Sequence, residues 1–197
     1  MELLARDLVV VKQKAKLVEL TNQYTLHDAD GNDIGAITEE NQSKGRKVLR
    51  ALTKFDQFMS HQLAVVDSLG QRVLTIRKNP SFIKSTVEVA DSAGAPVGTI
   101  RQQNAIGKIR FGLVGADDQE LGQLRAENWR AWDFHIADTS GVEVARITKK
   151  WGGILREGFT TADNYVFTVT PDATGALRQL CFAAAAAVDT ALKQNDH

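Results

Sequence analysis

The stretch Val87 to Ile100, VEVADSAGAPVGTI, decides the fold. Val87-Glu88-Val89 alternates apolar and polar, and Val97 to Ile100 resumes the alternation after Asp91-Ser92-Ala93-Gly94. A period of two puts one set of side chains on a common face, as in a half-buried strand. Between the runs, Asp caps a turn through its side chain and Gly takes the left-handed conformation. The segment therefore reads as a β-hairpin.

The same frame occurs at four other places. Tyr24-Thr25-Leu26 is followed by Asp28-Ala29-Asp30-Gly31 and Ile34 to Ile37, and Leu63-Ala64-Val65 by Asp67-Ser68-Leu69-Gly70 and Val73 to Ile76. Phe111-Gly112-Leu113 precedes Gly115-Ala116-Asp117-Asp118 and Leu121 to Leu124, and Phe134-His135-Ile136 precedes Asp138-Thr139-Ser140-Gly141 and Val144 to Ile147. The fourth unit has Asp118 where the others have Gly, a residue that still tolerates positive φ. Five hairpins give about ten antiparallel strands, and a sheet of that size must close or fold on itself to hide its edges.

The chain has 197 residues, 43% hydrophobic and 24% charged, which suits one globular domain with a real core. Lys+Arg and Asp+Glu number 24 each, so the basic character of a generic nucleic-acid binder is missing and no nucleic acid is expected as partner. The single cysteine, Cys181, excludes a disulfide framework, a four-cysteine zinc site and a CxxC pair, and fits a reducing, intracellular compartment. Leu8-Val9-Val10-Val11 is too short for a signal-peptide core, and Glu2 and Asp7 spoil its flank.

Leu177 to Lys193, LRQLCFAAAAAVDTALK, is the one long segment with strong helix propensity. Apolar residues surround its wheel, so it must be buried on all sides. Its five consecutive alanines keep it thin enough to thread a small barrel. A partly inserted membrane anchor is opposed by its short length and by Asp189.

Arg146-Ile147-Thr148-Lys149-Lys150-Trp151-Gly152-Gly153-Ile154-Leu155-Arg156-Glu157-Gly158-Phe159-Thr160-Thr161-Ala162-Asp163-Asn164 resembles the signature of phospholipid scramblases, R-I-S-K-x-W-x-G-I-L-R-E-A-F-T-D-A-D-N. Leu69 to Ile76, Ala95 to Gly98 and Trp132 to Ile136 also stand in family-like positions. The resemblance implies the Tubby C-terminal-like fold shared with LURP-one-related proteins. That fold is mainly β, a closed antiparallel barrel of about twelve strands around a central hydrophobic C-terminal helix. Residues 1–197 are then one domain, with 43–60 an insertion and 177–193 the central helix. The resemblance further implies a cytoplasmic protein, peripheral at the inner face of a membrane, that binds phospholipid headgroups and assists their movement between leaflets.

The chain departs from that family in lacking a proline-rich N-terminal tail and the cysteine cluster that accepts palmitate. Its counterpart of the family's calcium segment, D-A-D-N-F-G-x-x-F-P-x-D, runs Thr161 to Asp172 and keeps Asp163 and Asp172 as weak candidate metal ligands. Calcium takes six to eight oxygens. Tyr165, Phe167 and Val169 alternate there as a strand would, so calcium is disfavoured and no cofactor is expected. No nucleophile elbow, phosphate loop or HExxH helix occurs, the histidines have no metal-ligand spacing, and no enzyme is expected. Arg156-Glu157 reads as an ion pair between strands or as part of a headgroup contact.

Ser43 to Ser60, SKGRKVLRALTKFDQFMS, interrupts the repeats. As a helix it puts Val48, Leu52, Phe55 and Met59 on one side and Arg46, Lys47, Arg50 and Lys54 on the other, the pattern of an element on an anionic membrane surface. The alternative is a lid whose apolar stripe packs on the barrel. Two functions follow. In one, Lys44, Arg46, Lys47, Arg50, Lys54, Lys149, Lys150 and Arg156 engage anionic phospholipid headgroups. In the other, the barrel is a soluble interaction or regulatory domain without lipid transport.

Overall fold

The structure is a computed structural model, and it describes residues 2–13, 23–40, 61–78, 86–104, 110–128, 133–149 and 164–192. A short 3-10 turn, Leu3–Ala5, leads into β1 (Leu8–Gln13). Strands β2 (Gln23–His27), β3 (Asp33–Glu40), β4 (His61–Asp67), β5 (Arg72–Lys78), β6 (Thr86–Asp91) and β7 (Pro96–Gln102) follow. Then come β8 (Arg110–Gly115), β9 (Glu120–Asn128), β10 (Asp133–Asp138), β11 (Glu143–Thr148), β12 (Asn164–Val169) and helix α1 (Gly175–Leu192). Each strand pairs antiparallel with its sequence neighbours, and β1 pairs with β12 to close a twelve-stranded barrel with no free edge. The expected barrel is thus the observed one.

All five hairpin turns take the conformation their sequences require. The carboxylates of Asp28, Asp67, Asp91 and Asp138 each accept the backbone N–H groups two and four residues on; for Asp91 these are Ala93 and Ala95, both at 2.9 Å. Gly94 sits at φ +82°, and Asp118 takes the same left-handed position at φ +62°. Bonds from Asn32, side chain first, hold the Asp28 carboxyl below its ordinary value.

Two strands lie outside the hairpin repeat. Leu8-Val9-Val10-Val11 forms most of β1, with Val9 and Val11 in the core. Val10 and its register partner Val166 are on the opposite face and are buried as well. A strand covered on both faces has a continuous apolar run rather than an alternating one.

Helix α1 starts at Gly175, two residues ahead of the expected Leu177. Leu180 to Ala186 are seven consecutive residues, none more than 5% exposed. Seven residues at about 100° each point in every direction around a helix axis, so the barrel surrounds this one. Accordingly α1 touches β5, β7, β8, β9 and β12. The Tyr165 hydroxyl donates to the Ala185 carbonyl at 2.9 Å, and the Phe167 and Phe182 rings meet edge-on at 4.8 Å.

One end of the interior is closed by Arg178. Its guanidinium donates to the carbonyls of Leu4, Arg6 and Thr170 and to the Asp7 carboxylate at 2.8 Å, tying the chain start to the β12–α1 turn.

Ala183→Glu would place an unpaired carboxylate at a position with no exposed surface. The expected outcome is a loss of more than about 4 kcal/mol, read by denaturant unfolding. A variant with a native-like midpoint would contradict an enclosed helix.

Candidate functional site

An antiparallel meander separates its connections into two sets. The chain start, the five tight turns and the β12–α1 turn share one barrel end, here the hairpin end. Connections 14–22, 41–60, 79–85, 103–109, 129–132 and 149–163 leave and re-enter the wall at the other, the loop end. Helix α1 runs from the hairpin end toward the loop end.

The candidate membrane residues fall on this second set. Lys44, Arg46, Lys47, Arg50 and Lys54 belong to 41–60, and Lys150 and Arg156 to 149–163; these seven lie outside the described residues. Lys149 is described, half-buried and directly after β11. The first connection leaves from β3 and the second re-enters at β12. Those strands are three ladder steps apart in the order β3-β2-β1-β12, or about 14 Å at ~4.8 Å per step.

The chain entering 149–163 comes from an ordered charged patch on the outer face of β10 and β11. Asp133 opposes Thr148, Phe134 opposes Ile147 and His135 opposes Arg146. Arg146 donates Nε and Nη2 to the two Asp133 oxygens at 2.8 and 2.9 Å, a bidentate pair in which Asp133 is buried. Glu143 lies beside His135 and 3.9 Å from Arg146 Nη1. The Phe134 and Ile147 side chains point inward to the core. Sequence reading noticed Trp132-Asp133-Phe134-His135 and Arg146 separately. Only the register shows that two of them form a pair.

The remaining candidates separate rather than converge. Asn164–Val169 is strand β12, with Tyr165, Phe167 and Val169 turned to the core. Asp163 precedes it outside the described residues, whereas Asp172 is exposed in the turn at the hairpin end. At ~3.3 Å per residue the strand alone separates its two ends by on the order of 17 Å. Among the described residues no cluster of three or more His, Cys, Asp or Glu side chains has the geometry to hold a metal ion. Burial pushes the Cys181 thiol up to about 12, which removes it as a nucleophile at neutral pH.

A family model described as scramblase matches residues 1–192. The chain belongs to the scramblase family. Among curated proteins it is similar to a phospholipid scramblase family protein of Schizosaccharomyces pombe, 25% identical over 194 residues. That alignment covers 90% of this chain and 50% of the relative, so the chain spans about half the length of the curated relative it matches. Among solved structures it is similar to a protein from Arabidopsis thaliana with a TM-score of 0.55 at 11% identity, covering 96% of this chain and 92% of that one. At that identity the likeness concerns the fold. Among the described residues no helix is long and apolar enough to cross a membrane.

In this scramblase-family barrel the Asp133–Arg146 pair anchors the stretch that precedes the 149–163 connection. Asp133→Ala would strip the Arg146 guanidinium of both its bonds to the buried carboxylate, for a cost of about 1–3 kcal/mol. Arg146→Lys, which keeps the charge but loses the fork geometry, should recover part of that loss. Thermal unfolding of both variants checks the order.

Proposed function

We propose that the protein is a peripheral lipid-binding barrel whose loop end engages anionic phospholipid headgroups and assists their redistribution. The observation that carries this reading is topological. Two connections rich in Lys and Arg, 41–60 and 149–163, open on one barrel end within about 14 Å of each other along the rim. Family membership supports the choice of a lipid over another anionic partner.

Lys44, Arg46, Lys47, Arg50 and Lys54 supply most of the attraction, with Lys149, Lys150 and Arg156 beside them. Each Lys or Arg near an anionic surface contributes about 1 kcal/mol, to which burial of Val48, Leu52, Phe55 and Met59 in the interface adds. Calcium has no part in this binding. The segment Thr161 to Asp172 retains two of the family's carboxylates, and strand β12 stands between them.

Replacing Arg46, Lys47, Arg50 and Lys54 with Gln should remove on the order of 4 kcal/mol, several hundredfold in partitioning onto anionic vesicles. Rising salt should weaken wild-type binding, chelation of calcium should not, and folding stability should barely change. Co-sedimentation with and without a chelator measures all of these. Equal binding by both proteins would instead make 43–60 a lid on a soluble interaction domain, and Phe55→Asp would then destabilise the fold.

A further inference from the structure

Strand register sets basic side chains in one row across the outer wall. Arg110 of β8 stands opposite Arg125 of β9, Arg125 opposite His135 of β10, and His135 opposite Arg146 of β11. Their chain neighbours Phe111, Leu124, Phe134 and Ile147 pack in the core, so the row points outward. Directly opposed residues have Cβ atoms about 5 Å apart, and like charges placed in this way are destabilising.

Half of the row is supplied with carboxylates. Arg146 forks onto Asp133, and His135 lies against Glu143. Elsewhere on the wall, Arg101 pairs with Asp118 at 2.7 Å, and Arg77 faces Glu88 in register. Among the described residues, Arg110 and Arg125 have no carboxylate partner, although both are exposed. Both are nevertheless held in place. The Arg110 N–H donates to Asn104 Oδ1 at 2.9 Å, and its carbonyl accepts the Gln103 N–H at 2.9 Å. Arg125 donates Nε to Gln123 Oε1 at 2.9 Å, and Gln123 Nε2 donates to Gln103 Oε1 at 2.9 Å. Gln103 reaches that far by lying across Gly112, where a Cβ would come within 2.7 Å of its Nε2. Glu120 approaches Gln103 and Gln123, at 3.4 Å each, and neither arginine. The Arg125 Nη groups and the whole Arg110 guanidinium therefore keep their donors for something else.

We infer that Arg110 and Arg125 form a binding site for a phosphate monoester. A guanidinium presents its N–H donors in a planar fork that matches phosphate oxygens. The opposed pair brings two such forks, and two positive charges, to one gap on the wall. A phosphate monoester answers both, with about −1.5 to −2 charge at pH 7 and three strong acceptor oxygens. A diester phosphate or a carboxylate has less charge and fewer free oxygens. An anion in the gap also relieves the repulsion that the register imposes, and that relief adds to its affinity. The pair is separate from the connections 41–60 and 149–163, so binding there does not depend on the membrane reading above. Arg110 opens β8 at the loop end, where a lipid phosphate and a soluble one both have access.

The test is titration with inorganic phosphate, or with dimethyl phosphate as the diester, followed by NMR at constant ionic strength. The pH is kept above the second phosphate pKa of about 6. Wild type should bind phosphate roughly tenfold or more tightly than dimethyl phosphate, since only the former matches both charges. Arg110→Gln and Arg125→Gln should each weaken phosphate about tenfold to a hundredfold, through lost charge-assisted hydrogen bonds. Arg101→Gln removes an arginine already paired with Asp118 and should leave phosphate binding unchanged. The Arg110 side chain has no hydrogen-bond partner among the described residues, so Arg110→Gln breaks no contact of the wall. Co-sedimentation with phosphatidylcholine vesicles containing phosphatidic acid, or phosphatidylglycerol at equal surface charge, identifies the source. A preference for phosphatidic acid that Arg110→Gln abolishes makes the ligand a lipid headgroup. Phosphate binding without that preference makes it a soluble phosphate, and either result supports the site. No phosphate binding by wild type, equal binding of dimethyl phosphate, or equal weakening by Arg101→Gln would overturn it and leave the membrane reading standing.

Discussion

A twelve-stranded barrel is too wide to fill from its wall. Eight strands enclose a space that inward side chains just occupy, and larger barrels leave a cavity or channel. Here α1 fills the difference, and its composition follows from the space available. Alanine, cysteine and one phenylalanine occupy Cys181 to Ala186, so the helix backbone passes close to the wall at β5, β7, β8, β9 and β12, where Phe182 meets Phe167. A helix of leucines would be too thick, and a helix with any polar face would bury that face unpaired. Every strand depends on this filler, and the filler depends on the strands, since an alanine-rich segment of that length is marginal alone in water.

The two polar fixtures of the helix locate it along and within the barrel. Tyr165 reaches inward from β12 to the Ala185 carbonyl, using a hydroxyl that would otherwise be buried without a partner. Arg178 gathers the chain start and the β12–α1 turn around one guanidinium. Because an arginine offers five donors in a fixed fork, a single side chain satisfies several carbonyls that the barrel's closed end would otherwise strand.

A meander of this kind assigns different tasks to its two ends. The hairpin end is uniform, five turns of nearly one design with carboxylates directed at backbone N–H groups. The loop end carries long connections of unlike sequence, and those are the segments in which binding residues accumulate on a rigid scaffold. The strings that resemble scramblases include both wall and connection: Asp133 to Ile136 and Arg146 to Thr148 are wall, where Asp133 and Arg146 pair, and 149–163 of the second string is loop-end connection.

The sequence by itself determined the hairpins, their turn chemistry and the helix, because these rest on local rules: a period of two, an Asp oxygen within reach of the next turn's N–H groups, a residue tolerant of positive φ, and a run of strong helix formers. Asp118 in the glycine position shows how far the local frame holds. It also showed β12 as a strand where a metal segment was at issue, through the alternation of Tyr165, Phe167 and Val169. Closure was a different matter. Leu8 to Val11 has no alternation, because both faces of β1 are covered, and only the pairing of β1 with β12 makes it the seam. The Asp133–Arg146 pair spans thirteen residues and is set by strand register. The Arg178 hub joins residues more than 170 apart in sequence. Alternating strand direction likewise sends successive connections to opposite ends of the barrel, an arrangement that follows from the pairing of the strands and not from any local rule.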